Sequence, residues 1–389
     1  MLNKIKELAE SCFDDIVSIR RHLHKYPELS FDEYKTSAYI KSILTSWKIP
    51  FTENIADTGI VVLLEGYNAS SKTLALRADF DALPIHEEND VEYCSQNKGV
   101  MHACGHDAHT ASLLGTIKIL NSLKKEWEGS VKFVFQPAEE QYPGGAQQMI
   151  KEGVLKNPQV QKMFGQHVFP DLEAGKVGFC AGKYMASADE IEITVIGSGG
   201  HAALPETYNN PIIATAKLIT CLENHFLLYR DIPAIFAIGC VSANGYCNVI
   251  PDKVVLNGTF RTTDEEFRSL AHSQMKEIAS KIAGQYNLDI RFQIHKGYPS
   301  LYNDDILTKK AIRYAKEYLG DNNVIDLSLR MTAEDFAYYC YEVPSCFYRL
   351  GTGNIDNGIV NGLHTSRFDI DESALKIGMG LMAYLAIKN

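Results

Sequence analysis

The pattern of apolar residues changes twice along this chain, near residues 187 and 297, and this change limits the folds that are open to it. Before residue 187 and after residue 297, short apolar runs of strand length alternate with segments of helical spacing. Between them, Glu190–Val195 alternates polar and apolar residues, as a strand with one face in solvent does. The sequence therefore predicts an α/β domain of residues 1–186 and 297–389, with a domain of residues 187–296 inserted into it.

The inserted segment has the order β-α-β-β-α-β of a ferredoxin-like unit. Strands are predicted near residues 234–243 and 253–262, and Pro211 suits the first turn of the first helix. The apolar stripe of the second helix ends before Gly284, which is the predicted C-cap. Two domains also agree with the length of 389 residues, which is too long for one ordinary core.

The composition argues against several classes of protein. The net charge of −10 disfavours nucleic acid or an anionic membrane as a partner, because both favour a basic surface. The 9 cysteines form no regular framework, and Met1–Leu8 contains an acid and helical spacing rather than an apolar signal core. No run approaches the ~20 apolar residues that a membrane span needs. A cytoplasmic protein with reduced thiols is therefore expected.

Side chains that bind metals cluster at three points of the α/β pattern. Met101–His109 contains a thiol, three imidazoles and a carboxylate. Glu139–Glu140 follows the predicted strand 131–135, and His167 ends the predicted strand 163–167. Thiolate, imidazole and carboxylate hold zinc-like divalent ions, and open α/β sheets bind ligands where strands end. The sequence therefore predicts a hydrolytic metal site.

Within the first cluster, Cys104 and His106 are the leading candidates, because Gly105 between them lets the backbone bend so that both side chains converge. His102 and His109 remain alternatives in the same stretch. A buried thiol beside helix-surface histidines is the non-functional interpretation. The acidic pair and the later histidine argue against it.

Other polar residues are expected to have no part in the chemistry. Gly197–Gly200 lacks the third spaced glycine of a dinucleotide loop. His22 and His24 follow a helical stretch and are interpreted as structural. The remaining isolated histidines are expected to be surface or satisfied polar groups: His86, His225, His272 and His295.

Ordered motifs along the whole chain resemble the M20 metallopeptidase family, and above all its amidohydrolase branch of hippurate hydrolases, auxin-conjugate hydrolases and N-acetyldiaminopimelate deacetylases. The matching segments are Arg20–His24, Pro27–Glu28, Arg77–Pro84, Met101–His109, Gln136–Glu140, Gly199–Ala203, Asn248–Pro251, Gly258–Arg261, Ala333–Phe336 and Leu363–Thr365. The resemblance implies a catalytic α/β domain with a binuclear metal site. It also implies that the inserted βαββαβ domain is a lid used for dimerisation.

The resemblance further implies roles for single residues. Glu139 matches the general base, and the partner subunit's His201 matches the residue that donates to the oxyanion. Asn248 and Arg261 match residues that hold the carboxylate end of the substrate. The matched ligands of two neighbouring divalent ions, bridged by the Cys104 thiolate, are Cys104, His106, Glu140, His167 and His364.

Asp79 and Asp81 stand where other branches of the family have His-x-Asp, and here they are expected to orient the ligands rather than bind the ions. Zinc, manganese, nickel and cobalt are all compatible with the resemblance. Such ions lower the pKa of water toward ~7, and a nearby carboxylate can move the proton to the leaving amine.

The predicted function is therefore metal-dependent hydrolysis of the amide bond of N-acyl amino acids by a homodimer. The substrate is a small molecule, and neither nucleic acid nor membrane is an expected partner. A dipeptidase or carboxypeptidase of the same family is the nearest alternative, although the Cys104–His106 segment favours the amidase branch. A metal-binding protein without turnover is the alternative from another class.

Overall fold

The computed structural model describes residues 1–389, and the chain divides into two compact units. The first unit consists of Met1–Gly182, Tyr302–Ser328 and Asp335–Asn389, and the second of Lys183–Leu301 and Leu329–Glu334. The short segment Leu329–Glu334 thus lies with the second unit, whereas the sequence pattern placed it in the catalytic domain. Helices and strands are mixed throughout, so the predicted α/β class is confirmed.

Ten α-helices alternate with the strands, together with two short 3-10 helices at Pro205–Thr207 and Asp321–Asn323. None of the helices is long and apolar enough to span a membrane. In chain order the helices are α1 (Leu2–Ser11), α2 (Phe13–Lys25), α3 (Tyr34–Ser46), α4 (His106–Ser122), α5 (Gly145–Lys151), α6 (Pro211–Phe226), α7 (Glu265–Tyr286), α8 (Asp305–Leu319), α9 (Ala337–Glu342) and α10 (Ala374–Lys388).

The strands form one large sheet in the first unit and a smaller one in the second. In chain order they are β1 (Phe51–Ile55), β2 (Gly59–Glu65), β3 (Thr73–Asp79), β4 (Ser130–Gln136), β5 (Lys162–Glu173), β6 (Val177–Phe179), β7 (Gly182–Met185), β8 (Asp189–Ile196), β9 (Gly200–His201), β10 (Ala234–Ala243), β11 (Val249–Ile250), β12 (Lys253–Thr262), β13 (Asp289–Lys296), β14 (Leu301–Asn303), β15 (Val324–Asp326) and β16 (Ser345–Gly353).

The large sheet has the order β1-β2-β4-β3-β5-β16-β6-β15. Its central strands β4, β3, β5 and β16 are mutually parallel, and every residue of β3, β4 and β16 is buried. Strands buried on both faces read as apolar runs rather than alternating patterns, which is why the sequence showed runs here. Helix α4 is buried over most of its length and packs against α1, α2 and α10. Near the start of α4, the Thr110 hydroxyl donates at 2.8 Å to the carbonyl of Asp79, which ends β3.

The small sheet is antiparallel with the order β10-β12-β8-β13, the strand order of a ferredoxin-like unit. Alternate residues of β8 are buried, as the polar–apolar alternation predicts. Helices α6 and α7 cover the buried face with Leu218, Leu222 and Met275, which pack in one core with Phe260 of β12. Pro211 is the first residue of α6, as expected.

Two details of the predicted elements are wrong. Helix α7 continues through Gly284 and is capped by Asn287 with φ of 49°, because asparagine also tolerates the left-handed conformation. His167 lies inside β5 rather than at its end. The strand continues to Glu173 because β16 pairs with it as far as Gly353. The local sequence does not show this extension, because it depends on pairing with β16, which is distant in the chain.

Candidate metal centre

The turn before α4 brings Cys104 and His106 to the edge of the large sheet. Gly105 has φ of 77°, and a Cβ atom at this position would lie 2.4 Å from Cγ2 of Val168. Only glycine fits both the backbone conformation and the space. The sequence therefore places the thiol and the imidazole on either side of a residue that must be glycine.

Two groups of side chains meet at the thiol of Cys104. Its Sγ lies 3.4 Å from Nε2 of His167 and 3.3 Å from Nε2 of His364. Nε2 of His364 is also 3.3 Å from Oε1 of Glu140. Potential ligand atoms therefore form one triad of Cys104, His106 and His167 and a second of Cys104, Glu140 and His364. The thiol is common to both triads.

His364 comes from the loop after β16 and has an uncommon backbone conformation. Its φ is 60°, and its backbone N–H donates to the carbonyl of Ala103 at 2.8 Å. A left-handed histidine costs conformational free energy and is kept only where the surroundings fix it. The hydrogen bond to Ala103 therefore ties the far end of the chain to the residue that precedes Cys104.

The hydrogen bonds of His167 leave one ring nitrogen available. Nδ1 lies 2.7 Å from the carbonyl of Val168, which can only accept, so Nδ1 carries the proton. Burial and then Arg349 hold the pKa of His167 well below its usual value, so the ring is neutral. Nε2 therefore presents a lone pair toward Cys104, as a metal ligand requires.

His106 is held by Asp81, because Nδ1 lies 3.0 Å from the Oδ1 atom of that carboxylate. Its Nε2 atom is buried and has no hydrogen-bond partner, although Glu139 and Glu140 oxygens are each 3.9 Å away. The Oε1 atom of Glu140 is also buried without a hydrogen bond. Unpaired buried polar atoms are costly, so their convergence fits a bound cation. Thiolate, imidazole and carboxylate are suitable donors for a divalent ion.

The electrostatics of this cluster also suit a cation. Burial lowers the pKa of His106, but the Asp79 and Asp81 carboxylates outweigh it and raise that pKa to about 10. Burial, followed by Glu140 and Glu139, raises the pKa of the Cys104 thiol well above its usual value. Both groups are thus protonated at neutral pH unless a cation competes with the proton.

The remaining histidines of Met101–His109 have other environments. Val168 donates its N–H to Nε2 of His109 at 2.8 Å, so Nδ1 of that ring donates to Asp79 at 2.5 Å. Both nitrogens of His109 are used, which leaves no ligand atom. His102 is buried and belongs to neither triad, and burial lowers its pKa to about 4. Hydrogen bonding thus excludes His109 as a ligand, whereas both ring nitrogens of His102 have no hydrogen-bond partner and only its position outside both triads sets it apart from Cys104 and His106.

The tandem acids follow β4 in a turn with unusual backbone geometry. Ala138 has φ of 50° and donates its N–H to Oε1 of Glu33 at 2.8 Å. Glu140 donates its N–H to Oδ2 of Asp81 at 2.9 Å. Glu139 is buried, and its Oε1 accepts a long 3.4 Å bond from the N–H of Asp335. Sequence patterns did not identify Glu33, whose only signal was its place at the start of a helix.

Two buried networks support the turn residues. Arg77 donates to Asp79 at 2.6 Å and to Asp335 at 2.7 Å. Asp79 thus accepts from Arg77 and His109, and its Oδ2 also lies 3.7 Å from Nε2 of His106. His24 lies 2.7 Å from Asp107, which follows His106 in the chain. This contact agrees with the interpretation of His24 as structural.

His201, Asn248 and Arg261 lie in the second unit. His201 pairs with Val249 in the β9–β11 ladder, and Ala202 donates its N–H to the carbonyl of Asn248 at 3.0 Å. Ala203 donates its N–H to Nδ1 of His201 at 3.1 Å, which leaves the proton on Nε2 of the exposed ring. Arg261 donates to the Met331 carbonyl at 3.1 Å.

Comparison with known proteins identifies the family of this chain. Residues 75–388 match the family model described as peptidase family M20/M25/M40. An N-acyl-L-amino acid amidohydrolase of Geobacillus stearothermophilus is 38% identical over 78% of this chain and 81% of its own length. Thermostable carboxypeptidase 1 of Saccharolobus solfataricus is 35% identical over 100% of this chain and 98% of its own.

A solved structure has the same fold over nearly the whole chain. It is a dinuclear metal binding peptidase of the M20 family from Bacillus subtilis, with a TM-score of 0.83 and 33% identity. The match covers 97% of this chain and 98% of that chain. The chain therefore belongs to peptidase family M20/M25/M40.

Proposed function

We propose that this protein is a binuclear metal-dependent amidohydrolase that releases the amino acid from N-acyl amino acids. The observation that carries the proposal is the pair of triads that share the Cys104 thiol, beside the unpaired Nε2 of His106. The amidohydrolase relative from Geobacillus stearothermophilus supports the substrate class, because it is named for N-acyl-L-amino acids.

One ion would be held by Cys104, His106 and His167, and the other by Cys104, Glu140 and His364. Ions bound there would polarise the amide carbonyl and make water acidic enough to give hydroxide at neutral pH. A thiolate favours zinc by its softness, while manganese, nickel and cobalt accept the same donors. Asp81 would keep His106 oriented toward its ion.

Glu139 is proposed as the general base. Its Oε2 lies 3.9 Å from Nε2 of His106, and its carboxylate also converges with that of Glu140, so Glu139 borders both triads. The long bond from the N–H of Asp335 to Oε1 limits the rotation of this carboxylate. A carboxylate held in this way can take a proton from the attacking water and deliver it to the leaving amine.

His201 is proposed to stabilise the oxyanion of the partner subunit's site in a homodimer. Its tautomer supports this role, because Nε2 carries the proton while Nδ1 accepts from Ala203. Asn248 and Arg261 are proposed to hold the carboxylate end of the substrate. A guanidinium suits that task because it can bind both carboxylate oxygens.

A carboxypeptidase activity is the second candidate. It is favoured by the similarity to thermostable carboxypeptidase 1 of Saccharolobus solfataricus, which extends over the whole chain. The same ligands and the same general base would serve both reactions, so the two candidates differ in the substrate that each accepts. The Cys104–His106 segment favours the amidase branch.

The deciding experiment measures amine release from N-acetyl, N-benzoyl and other N-acyl amino acids, with unblocked dipeptides and N-blocked peptides beside them. The protein is stripped of metal and reloaded with zinc, manganese, nickel or cobalt, one ion at a time, and Glu139→Gln is the matched inactive control. Metal-dependent cleavage of acylated amino acids would support the proposal. Cleavage of peptides alone would favour the carboxypeptidase, and metal binding without any turnover would contradict both.

A further inference from the structure

Glu33 is a buried carboxylate that has no part in the mechanism described above. It precedes α3 at the N-cap position and is 0% exposed, yet its side chain makes no capping bond to the helix. Its Oε2 accepts from the Thr58 hydroxyl at 3.1 Å, and its Oε1 accepts from the N–H of Ala138 at 2.8 Å. Both carboxylate oxygens are thus directed away from the helix that Glu33 begins.

The acceptor bond to Ala138 lies directly before the proposed general base. Ala138 has φ of 50°, a left-handed conformation that is strained for an L-residue with a Cβ atom. The residue is 0% exposed, and its N–H would have no water to bind if Glu33 were removed. The hydrogen bond therefore holds a strained backbone in place at the start of the Glu139–Glu140 turn.

The other end of the turn is fixed in the same manner. Glu140 donates its N–H to Asp81, and Asp81 in turn accepts from the hydroxyl of Ser30 at 2.7 Å. The loop from Ser30 to Glu33 therefore supports both ends of the turn. Glu33 accepts from Ala138, and Ser30 holds the Asp81 carboxylate that accepts from Glu140. Burial, and then the charge of Asp81, raise the pKa of Glu33 to about 7, so an ionisable group is kept here at a cost.

We infer that Glu33 is a positioning residue, which fixes Ala138 so that Glu139 faces the reacting water and Glu140 reaches its ion. The inference rests on the proposed function for the part that concerns Glu139. The part that concerns Glu140 depends only on metal binding. A displacement of about 1 Å at such a turn can lower a rate about 100-fold.

Two substitutions separate the effect of side-chain length at Glu33 from the effect of its charge. Glu33→Asp keeps the carboxylate but is shorter by about 1.5 Å, so it leaves the Ala138 N–H unpaired. Glu33→Gln loses the charge but keeps an oxygen at the same reach. We expect Glu33→Asp to lower kcat about 10- to 100-fold with KM changed less than about threefold, and to weaken binding of the second ion. Glu33→Gln should keep kcat within about threefold of the wild type and should still bind two ions.

Ser42→Ala is the control, because Ser42 is an exposed residue of α3 that donates to the Tyr39 carbonyl at 2.7 Å. It should leave kcat unchanged. Thr58→Val removes the hydroxyl that orients Glu33 and gives a second test should Glu33→Asp fail to fold; kcat should fall with KM unchanged. Calorimetric titration with zinc measures metal binding independently of any substrate.

A wild-type kcat and two-ion binding in folded Glu33→Asp would overturn the inference. So would an equal loss in Glu33→Gln, because the hydrogen bond to Ala138 that this variant keeps would then not be enough to position the turn. If the wild-type protein cleaved no acylated amino acid, the proposed function would fail, and the zinc titration would still decide whether Glu33 positions Glu140.

Discussion

Nδ1 of His106 lies 3.0 Å from Oδ1 of Asp81, and this contact turns Nε2 of the same ring toward the other candidate ligands. A carboxylate can only accept, so the contact requires the proton on Nδ1 and, once a cation binds, a lone pair on Nε2. One aspartate thus selects the tautomer of a ligand. It also accepts from the N–H of Glu140 and so joins the two triads.

Asp81→Asn should therefore weaken metal binding about 10- to 100-fold, the usual effect of losing a partner that orients a ligating histidine. Competition with a chromophoric chelator measures the change. Asp14→Asn, on an exposed position of α2, is the control and should bind metal as the wild type does. Unchanged affinity in Asp81→Asn would show that another contact orients His106.

Cys104→Ser should abolish retention of both ions, because the thiol belongs to both triads and a hydroxyl is a poor ligand for soft divalent metals. Metal content after dialysis and zinc titration provide the measurement. Cys221→Ser changes a partly exposed thiol of the second unit and should keep full metal content. Loss of a single ion in Cys104→Ser would mean that the thiol serves one triad alone.

Glu139→Gln should lower kcat about 10²- to 10⁴-fold while metal content stays unchanged, because the amide cannot accept the proton of the attacking water. The matched variant Glu140→Gln should instead lose metal from the triad with His364. Steady-state kinetics and metal analysis on the same samples separate the two effects. Metal loss in Glu139→Gln would make Glu139 a ligand rather than a base.

His201→Ala should lower kcat about 10²- to 10³-fold, as expected for loss of one oxyanion donor. Co-expression of this variant with Glu139→Gln tests whether the histidine acts across the dimer. A hybrid dimer would then contain one site with an intact Glu139 and the partner subunit's His201, and it should recover about half of the wild-type rate per dimer. Hybrids without recovery would place the action of His201 within its own subunit.

Glu33→Gln should alter the pH dependence of stability. The pKa of Glu33 in the folded protein, about 7, lies above its unfolded value of 4.5, so its contribution to stability is present below pH 4.5 and is lost as pH rises through 7. A shift of this size corresponds to about 3 kcal/mol at most. Relative to the wild type, Glu33→Gln should therefore gain stability between pH 4.5 and 8.

Urea unfolding at fixed free zinc measures this difference across the pH range. Glu7→Gln, on an exposed position of α1, is the control and should follow the wild type at every pH. If the free energies of unfolding of Glu33→Gln and the wild type differed by the same amount at every pH, Glu33 would not titrate in this range.

Local patterns predicted the elements well. The apolar run Leu74–Leu76 lies in a fully buried strand, and the alternating segment Glu190–Val195 lies in a half-buried one. Burial on two faces or on one determines the period of the apolar residues. Gly105 indicated the bend before α4 for a similar reason, since its conformation is a property of one residue. These predictions needed only neighbours in the chain.

The contacts that orient the site could not be read in the same way. Glu33 and Ala138 are far apart in sequence, and neither has an unusual composition around it. The exclusion of His109 depends on a backbone N–H of Val168, which every residue but proline possesses. Such contacts form only when the tertiary fold brings distant segments together, so no local residue pattern predicts them.

The position of His364 has a consequence for biosynthesis. The ribosome makes Cys104, His106, Glu140 and His167 first, then the whole second unit, and only then this last histidine and the strand β16 that precedes it. A nascent chain can therefore offer one complete triad while the other still lacks its imidazole. At translation speeds of about 5–20 residues per second, that interval lasts on the order of ten seconds or more. Metal uptake by the two triads would then follow the order of synthesis, with the triad of Cys104, His106 and His167 loaded first.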